Sequence, residues 1–150
     1  MSSPKLRGWL PDVPDARDVS ASDFKSTFYA ASLPAKLDLR PQCPPVYDQK
    51  QLGSCTAQAV CAVLQFTEKE AASGARVPVP SRLFTYWHTR YLHGTEEYDS
   101  GASLRMTIKS VRTAGYLDEK FWPYTNYKDT FAEEPPVDVA SVALAKRLAV

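Results

Sequence analysis

Hydrophobic positions along this chain fall into three blocks at helical spacing, separated by polar and proline-rich stretches. In the first block, from 54 to about 72, Val60, Cys61, Val63, Leu64 and Phe66 cover more than one narrow stripe, which predicts a helix buried on several sides. Glu68, Lys69 and Glu70 mark its solvated end, and Gly74 its stop. In the second, Leu83, Tyr86, Trp87, Arg90 and Tyr91 recur at intervals of three and four, with Ser81 near the cap and Gly94 at the end. An aromatic stripe at that spacing predicts a core face. The third begins in a polar turn, Glu96 to Ser103, and predicts a helix Leu104–Ala114 capped by Ser103 or Ser100 and closed by Gly115. Leu104, Ile108 and Val111 are its expected buried face.

The flanks are different. Gly8 to Asp18 holds two prolines and four charges around Trp9, a composition that predicts an extended segment docked through the indole. Asp23 to Ala31 is a candidate short helix, with Ser22 as its cap and Phe24 and Phe28 on one face. Pro41, Pro44 and Pro45 keep the approach to Gln49 extended. After the third helix, Tyr116 to Tyr124 reads as an aromatic anchor in a loop, 130–136 as a linker, and 141–150 as a resumed helical or strand-like pattern.

Composition adds limits. A length of 150 residues, with 44% hydrophobic and 23% charged, suits one globular domain with a sizeable core. Twelve prolines favour a few helices joined by ordered loops. A net charge of +1 gives no electrostatic argument for a nucleic-acid partner or a charged membrane surface. No apolar run approaches membrane-spanning length, and the first residues lack the apolar core of a secretory signal. A cytoplasmic location, or export by a non-classical route, is the corresponding expectation. The cysteines lack paired ligand spacing, and His88 and His93 lie on or just after the aromatic helix, so neither a metal nor another cofactor is expected.

Chemistry concentrates between 48 and 59. A turn-prone run rich in Gln, Gly and Ser passes directly into the first helix, and Cys55 stands at the junction. The first turn of a helix has unpaired N–H groups and the positive end of the dipole, which stabilise a thiolate and favour a nucleophile. Gln49, six residues earlier, carries an amide able to serve as an oxyanion donor. Cys43 and Cys61 are then expected to be free thiols.

Gln49, Gly53, Ser54 and Cys55, followed by a long helix, resemble the active-site segment of papain-like cysteine peptidases. Leu52 stands where that family usually has a cysteine, which removes one disulfide, and Thr56 replaces the usual aromatic residue. A bacterial-type branch with Gly-Ser-Cys-Thr-Ala at this point is the better match. Further resemblances are Asp38-Leu39-Arg40, which resembles the start of the mature enzyme, Ser81-Arg82-Leu83-Phe84-Thr85-Tyr86, and Pro123-Tyr124. The resemblance implies an α+β papain-like fold, of which residues 36–150 supply the mainly helical, cysteine-bearing half. Residues 1–35 resemble the Gly-Trp-Leu/Ile-Pro-Asp leader of bacterial relatives and are implied to be a propeptide. Cys55 is implied as nucleophile, its backbone N–H and Gln49 as oxyanion donors, and Gly53, Ser54, Ser100 and Gly101 as the lining of a cleft for a polypeptide substrate.

A cysteine peptidase also needs a base. The family's histidine and asparagine lie roughly 130–150 residues after the cysteine, beyond Val150, and neither His88 nor His93 occupies a family position. A complementary half bearing His and Asn is therefore the implied partner. Three readings compete: a peptidase incomplete without that half, a non-catalytic peptide-binding or scaffold module derived from the same fold, and a structural helical domain in which Cys55 is a capped thiol.

Overall fold

The computed structural model describes residues 8–24, 34–73 and 76–136. Three helices, α1 (Cys55–Ala71), α2 (Arg82–Tyr91) and α3 (Leu104–Ala114), pack each against the other two. A 3-10 turn (Tyr124–Asn126) runs into a single helical turn, α4 (Tyr127–Thr130), beside them. The described residues contain no extended strand, only two isolated bridges: Trp9 with Ala102, parallel, and Pro80 with Asp118, antiparallel. None of their helices is long and apolar enough to cross a membrane.

The helix ends follow from local chemistry. Ser81 Oγ accepts the Phe84 amide at 3.2 Å and opens α2, while Ser103 Oγ accepts the Met106 amide at 3.3 Å and opens α3. Gly115 closes α3 with φ 79°, a conformation that costs glycine little. Gly94, three residues past α2, also takes positive φ.

Helix α2 is the centre of the packing. Seven of its ten residues are buried, including Leu83, Phe84, Tyr86 and Trp87. Its buried threonines lose no hydrogen bond, because Thr85 and Thr89 donate to the carbonyls of Ser81 and Thr85 at 2.9 and 2.7 Å. Cys61 of α1 meets Thr85 at 3.4 Å, and Ser110 of α3 meets His88 Nδ1 at 2.9 Å. Leu52, Ala57, Leu83, Tyr86, Ala102 and Tyr124 form the cluster nearest the α1 amino end. Arg90 is fully buried in the same helix. Its guanidinium lies 4.1 Å over the Tyr86 ring and donates to Tyr98 O at 2.7 Å, to Glu96 O at 2.5 Å, and to Phe131 O.

Several expectations are corrected. Val63 is 61% exposed, and on α3 Leu104 and Ile108 are 40% and 53% exposed; of the expected face only Val111 is buried, and Thr107, Ser110 and Ala114 pack with it. Small and hydroxylated residues let α3 approach its neighbours closely, whereas the larger aliphatics border an apolar groove between α1 and α3. Tyr91 is also exposed and stacks on Trp87 at 5.2 Å. Trp9 is 53% exposed and does not anchor the arm; buried Gly8 and the adjoining backbone do. The helix expected at 23–31 lies mostly outside the described residues. Only its first two residues are described, and they end a 3-10 turn, Ala21–Phe24, in which Ser20 N donates to Asp23 and Asp23 N to Ser20 O. The pattern at 141–150 also lies outside the described residues.

Two stability predictions follow from α2. Arg90→Met removes the donor to three loop carbonyls and should lower unfolding free energy by about 3 kcal/mol or more, measured by urea denaturation; a loss under about 1 kcal/mol would show those bonds to be replaceable by water. Burial holds the His88 pKa below its ordinary 6.5, so on acidification the unfolded chain takes up that proton first. Stability from this group is complete above pH 6.5 and falls as the pH drops through the lower folded value. His88→Gln should therefore flatten the stability profile on the acid side of neutrality, and an unchanged slope would remove His88 as a contributor.

Candidate active site

The turn from Gln49 to Ser54 is fastened from inside. Gln49 Nε2 donates to Leu52 O at 3.0 Å, the Leu52 amide returns to Gln49 O at 3.3 Å, and Lys50 takes φ 55° between them. Gln58 Nε2 donates to Ser54 Oγ at 3.1 Å, Ser54 Oγ meets Tyr124 Oη at 2.6 Å, and Tyr124 Oη donates to Gln49 O at 2.9 Å. Burial pushes the Tyr124 phenol up to about 12, so it remains a donor at neutral pH. Ser54 is thereby fully buried, and although it holds the N-cap position of α1 its hydroxyl caps no amide. The first intrahelical bond runs from Gln58 N to Ser54 O at 3.0 Å. The amides of Cys55, Thr56 and Ala57 precede that bond at the positive end of the helix. Cys55 opens the helix in a half-buried position.

A second wall faces this turn. Gly53 N donates to both Asp99 oxygens, at 2.9 and 3.0 Å, and Tyr86 Oη donates to Asp99 Oδ1 at 2.5 Å. Gly101 N in turn donates to Tyr86 Oη at 3.0 Å. Between Gly53 and Gly101 lies the backbone of Gly8. Ala102 N donates to Gly8 O at 2.7 Å, and Leu10 N donates to Ala102 O at 2.9 Å. The fit leaves no room for side chains at the contact: a Cβ on Gly8 would stand 1.7 Å from Gly53 O, and one on Gly101 2.3 Å from Gly8 O. An extended peptide is thus seated two residues from Cys55.

The sequence-predicted residues divide accordingly. Gly53 and Gly101 come together around this groove, and Gln49 and Cys55 lie at the two ends of the segment that carries Gly53. Ser54 turns inward, and the exposed Ser100 hydroxyl meets Thr95 at 3.0 Å and Gly101 O at 3.3 Å. Sequence reasoning missed Ala102, whose amide and carbonyl both bond the arm, together with Asp99, Tyr86 and Tyr124. The small residue after Gly101 was a faint signal for the first. The other three act across 13 to 75 positions; Tyr86 and Tyr124 lay in segments that resemble the family, but nothing local marked the bonds they make.

The arm is also held by charge. Arg105 N, at the start of α3, donates to Asp12 at 3.2 and 3.3 Å, and the Arg105 guanidinium pairs with Asp18 at 2.8 and 2.9 Å. That pairing holds the Asp18 carboxyl below its usual range. Cys43 and Cys61 are free, as expected; burial pushes the Cys61 thiol up to about 12. His88 stacks among Phe84, Trp87 and Tyr91 and bonds Ser110, while His93 is exposed past the end of α2. Beside Cys55 opens an apolar groove of about 550 Å³, lined by Val46, Tyr47, Ala59, Ala62, Val63 and Phe66 among others. A neighbouring groove of about 350 Å³ shares Ala59 and Val63 and extends to Leu104 and Ile108. Among the described residues no group of His, Cys, Asp and Glu could hold a metal ion.

No family model matches the chain. It is 34% identical over 145 residues to an uncharacterized peptidase C1-like protein of Acanthamoeba polyphaga mimivirus, a match covering 87% of this chain and 46% of that protein. Its fold superimposes on xylellain, a cysteine protease from Xylella fastidiosa, with a TM-score of 0.78 and 33% identity, over 100% of this chain and 59% of xylellain. The chain therefore spans about half the length of these relatives. With a helix-borne cysteine, a fastened Gln-to-Cys turn and this fold, the chain is similar to the papain-like (C1) cysteine peptidases and has the fold of their helical, cysteine-bearing half.

Proposed function

We propose that this chain is the nucleophile-bearing half of a cysteine-type endopeptidase. Cys55 attacks the scissile carbonyl of a polypeptide, and the developing oxyanion takes hydrogen bonds from the Cys55 N–H and the Gln49 amide. The attack forms a C–S bond; collapse of the tetrahedral species expels the amine, protonated by a histidine, and water then hydrolyses the thioester. Gly53 and Gly101 flank the substrate backbone, with Ser54 and Ser100 shaping the chain beside them. Ala102 supplies the paired N–H and C=O. The observation that carries this reading is the extended Gly8–Leu10 backbone, bonded to Ala102 and in contact with Gly53 two residues before Cys55. A groove that accepts one peptide by its main chain suits a substrate of the same kind.

The base is assigned to a complementary half on other sequence. His88 is engaged within the helical core, and the contiguous grooves along α1 offer an apolar seat of the kind a partner domain covers. Residues 1–35 act as a propeptide: Gly8 occupies the groove and Arg105 latches Asp12 and Asp18, so a peptide cannot enter until the arm leaves.

Alkylation with peptide mapping tests the nucleophile, since the three thiols differ in burial. Iodoacetamide at neutral pH should modify Cys55 about tenfold faster than exposed Cys43, with Cys61 unreactive until unfolding. Equal rates at Cys55 and Cys43 would favour the non-catalytic binding module instead. A Gly8→Ala change tests the arm. Its methyl cannot fit against Gly53 O, so modification of Cys55 by an epoxysuccinyl peptide should rise by roughly an order of magnitude, with little change for the smaller iodoacetamide. No gain with the peptide reagent would mean that the arm does not occlude the cleft.

A further inference from the structure

The two walls of the groove have no covalent tie, because all three cysteines are free. Gly53 belongs to the turn that delivers Cys55, and Gly101 to a loop nearly fifty positions later. Their backbones must stand one peptide thickness apart, since Gly8 touches both. Four hydrogen-bonding groups span that distance. Gly101 N–H donates to Tyr86, Tyr86 O–H donates to Asp99, and Asp99 receives the Gly53 N–H on both oxygens. Tyr86 O–H and Gly53 N–H both donate to the one carboxylate, and Gly101 N–H donates to the phenol oxygen behind it, an arrangement in which successive bonds strengthen each other.

Each member is itself held. Tyr86 is buried in α2 beneath the Arg90 guanidinium, and Arg90 also grips Tyr98 O, the carbonyl next to Asp99. Burial and the adjoining Asp99 keep the Tyr86 phenol protonated far above neutrality, so its donor role is permanent. Gly101 takes φ 74°, which leaves its amide free to turn toward Tyr86.

We propose that Asp99 and Tyr86 are positioning residues: a carboxylate–phenol clamp that fixes the spacing of the two peptide-binding walls and so aligns an extended substrate with Cys55. This rests on the peptidase reading above. The clamp bonds the groove walls through main-chain amides alone, so it sets how well any peptide is seated and not which side chains are preferred. Its loss should weaken the capture of a peptide much more than the intrinsic reactivity of the thiol.

The test uses the Gly8→Ala chain, in which the groove is vacated. There Asp99→Ala and Tyr86→Phe should each slow Cys55 modification by an epoxysuccinyl peptide about tenfold, with iodoacetamide modification changed less than about twofold. Asp99→Asn, which keeps an acceptor for Gly53 N, should recover part of the loss. Cys61 reports unfolding: a variant in which it becomes reactive is judged by the remaining two. Hydrogen exchange on the unmodified chain reads the clamp directly. Gly53 and Gly101 amides should be protected, and Asp99→Ala should release the Ala102 and Leu10 amides, which Asp99 does not touch. Unchanged peptide-reagent rates in the folded variants, or unprotected Gly53 and Gly101 amides in the wild type, would overturn the proposal. If wild-type Cys55 proves no faster than Cys43 while those amides are protected and released as described, the peptidase reading fails and the clamp stands as a device of a peptide-binding groove.

Discussion

Burial of a guanidinium within α2 is the constraint on which the rest of the structure depends. Arg90 is fully buried, and a desolvated cation must be matched by oxygen atoms and polarisable surface or the fold loses several kcal/mol. Here the match comes from carbonyls at 96, 98 and 131 and from the Tyr86 ring. Satisfying one side chain therefore draws the loop after α2 back over that helix and brings the region around α4 against it. Asp99 lies within the drawn loop. The spacing of the groove walls is in this sense inherited from the core: a polar group that must be solvated by the protein fixes a loop, and the loop fixes a main-chain groove.

Features governed by neighbours in sequence were legible. The three helices, the Ser81 and Ser103 caps and the glycine after α3 all follow from contacts within four residues, which residue type and spacing encode directly. The buried stripe of α2 was equally plain because almost its whole circumference is enclosed. Spacing failed where an amphipathic pattern had two candidate faces. On α3 the aliphatic face of Leu104 and Ile108 borders a groove, and the hydroxyl-rich face of Thr107 and Ser110 packs. Periodicity measures where apolar residues lie, not what the neighbouring helix can approach, and small residues permit the closer approach.

The candidate site divides along the same line. Cys55 and Gln49 were singled out, and are proposed as catalytic, because helix-terminus chemistry and a six-residue interval are local. Trp9 drew attention as the largest side chain of the arm, yet the arm docks through Gly8, where the absence of a side chain is the requirement. A steric need for nothing leaves a weaker mark in sequence than a bulky anchor. Asp99 and Tyr86 were read as a turn residue and a core aromatic. Their further role exists only after distant segments have been brought together.

The apolar surface beside Cys55 links stability to the proposed chemistry. Val46, Val63, Leu104 and Ile108 are large aliphatic residues exposed on grooves that share Ala59 and Val63 along α1. Covering such a surface is favourable by roughly 25 cal/mol for each Å² removed from water, so an apolar partner docked there would stabilise the helical half. The groove containing Val46 also contains Cys55. A partner covering this groove would lie beside the thiol, where the proposed reading needs a base. On the proposed reading, association, exclusion of water from the thiol and delivery of a histidine would accompany one burial event. The apolar face exposed along α1 is, on that reading, the surface through which the proposed complementary half would be brought into register with Cys55.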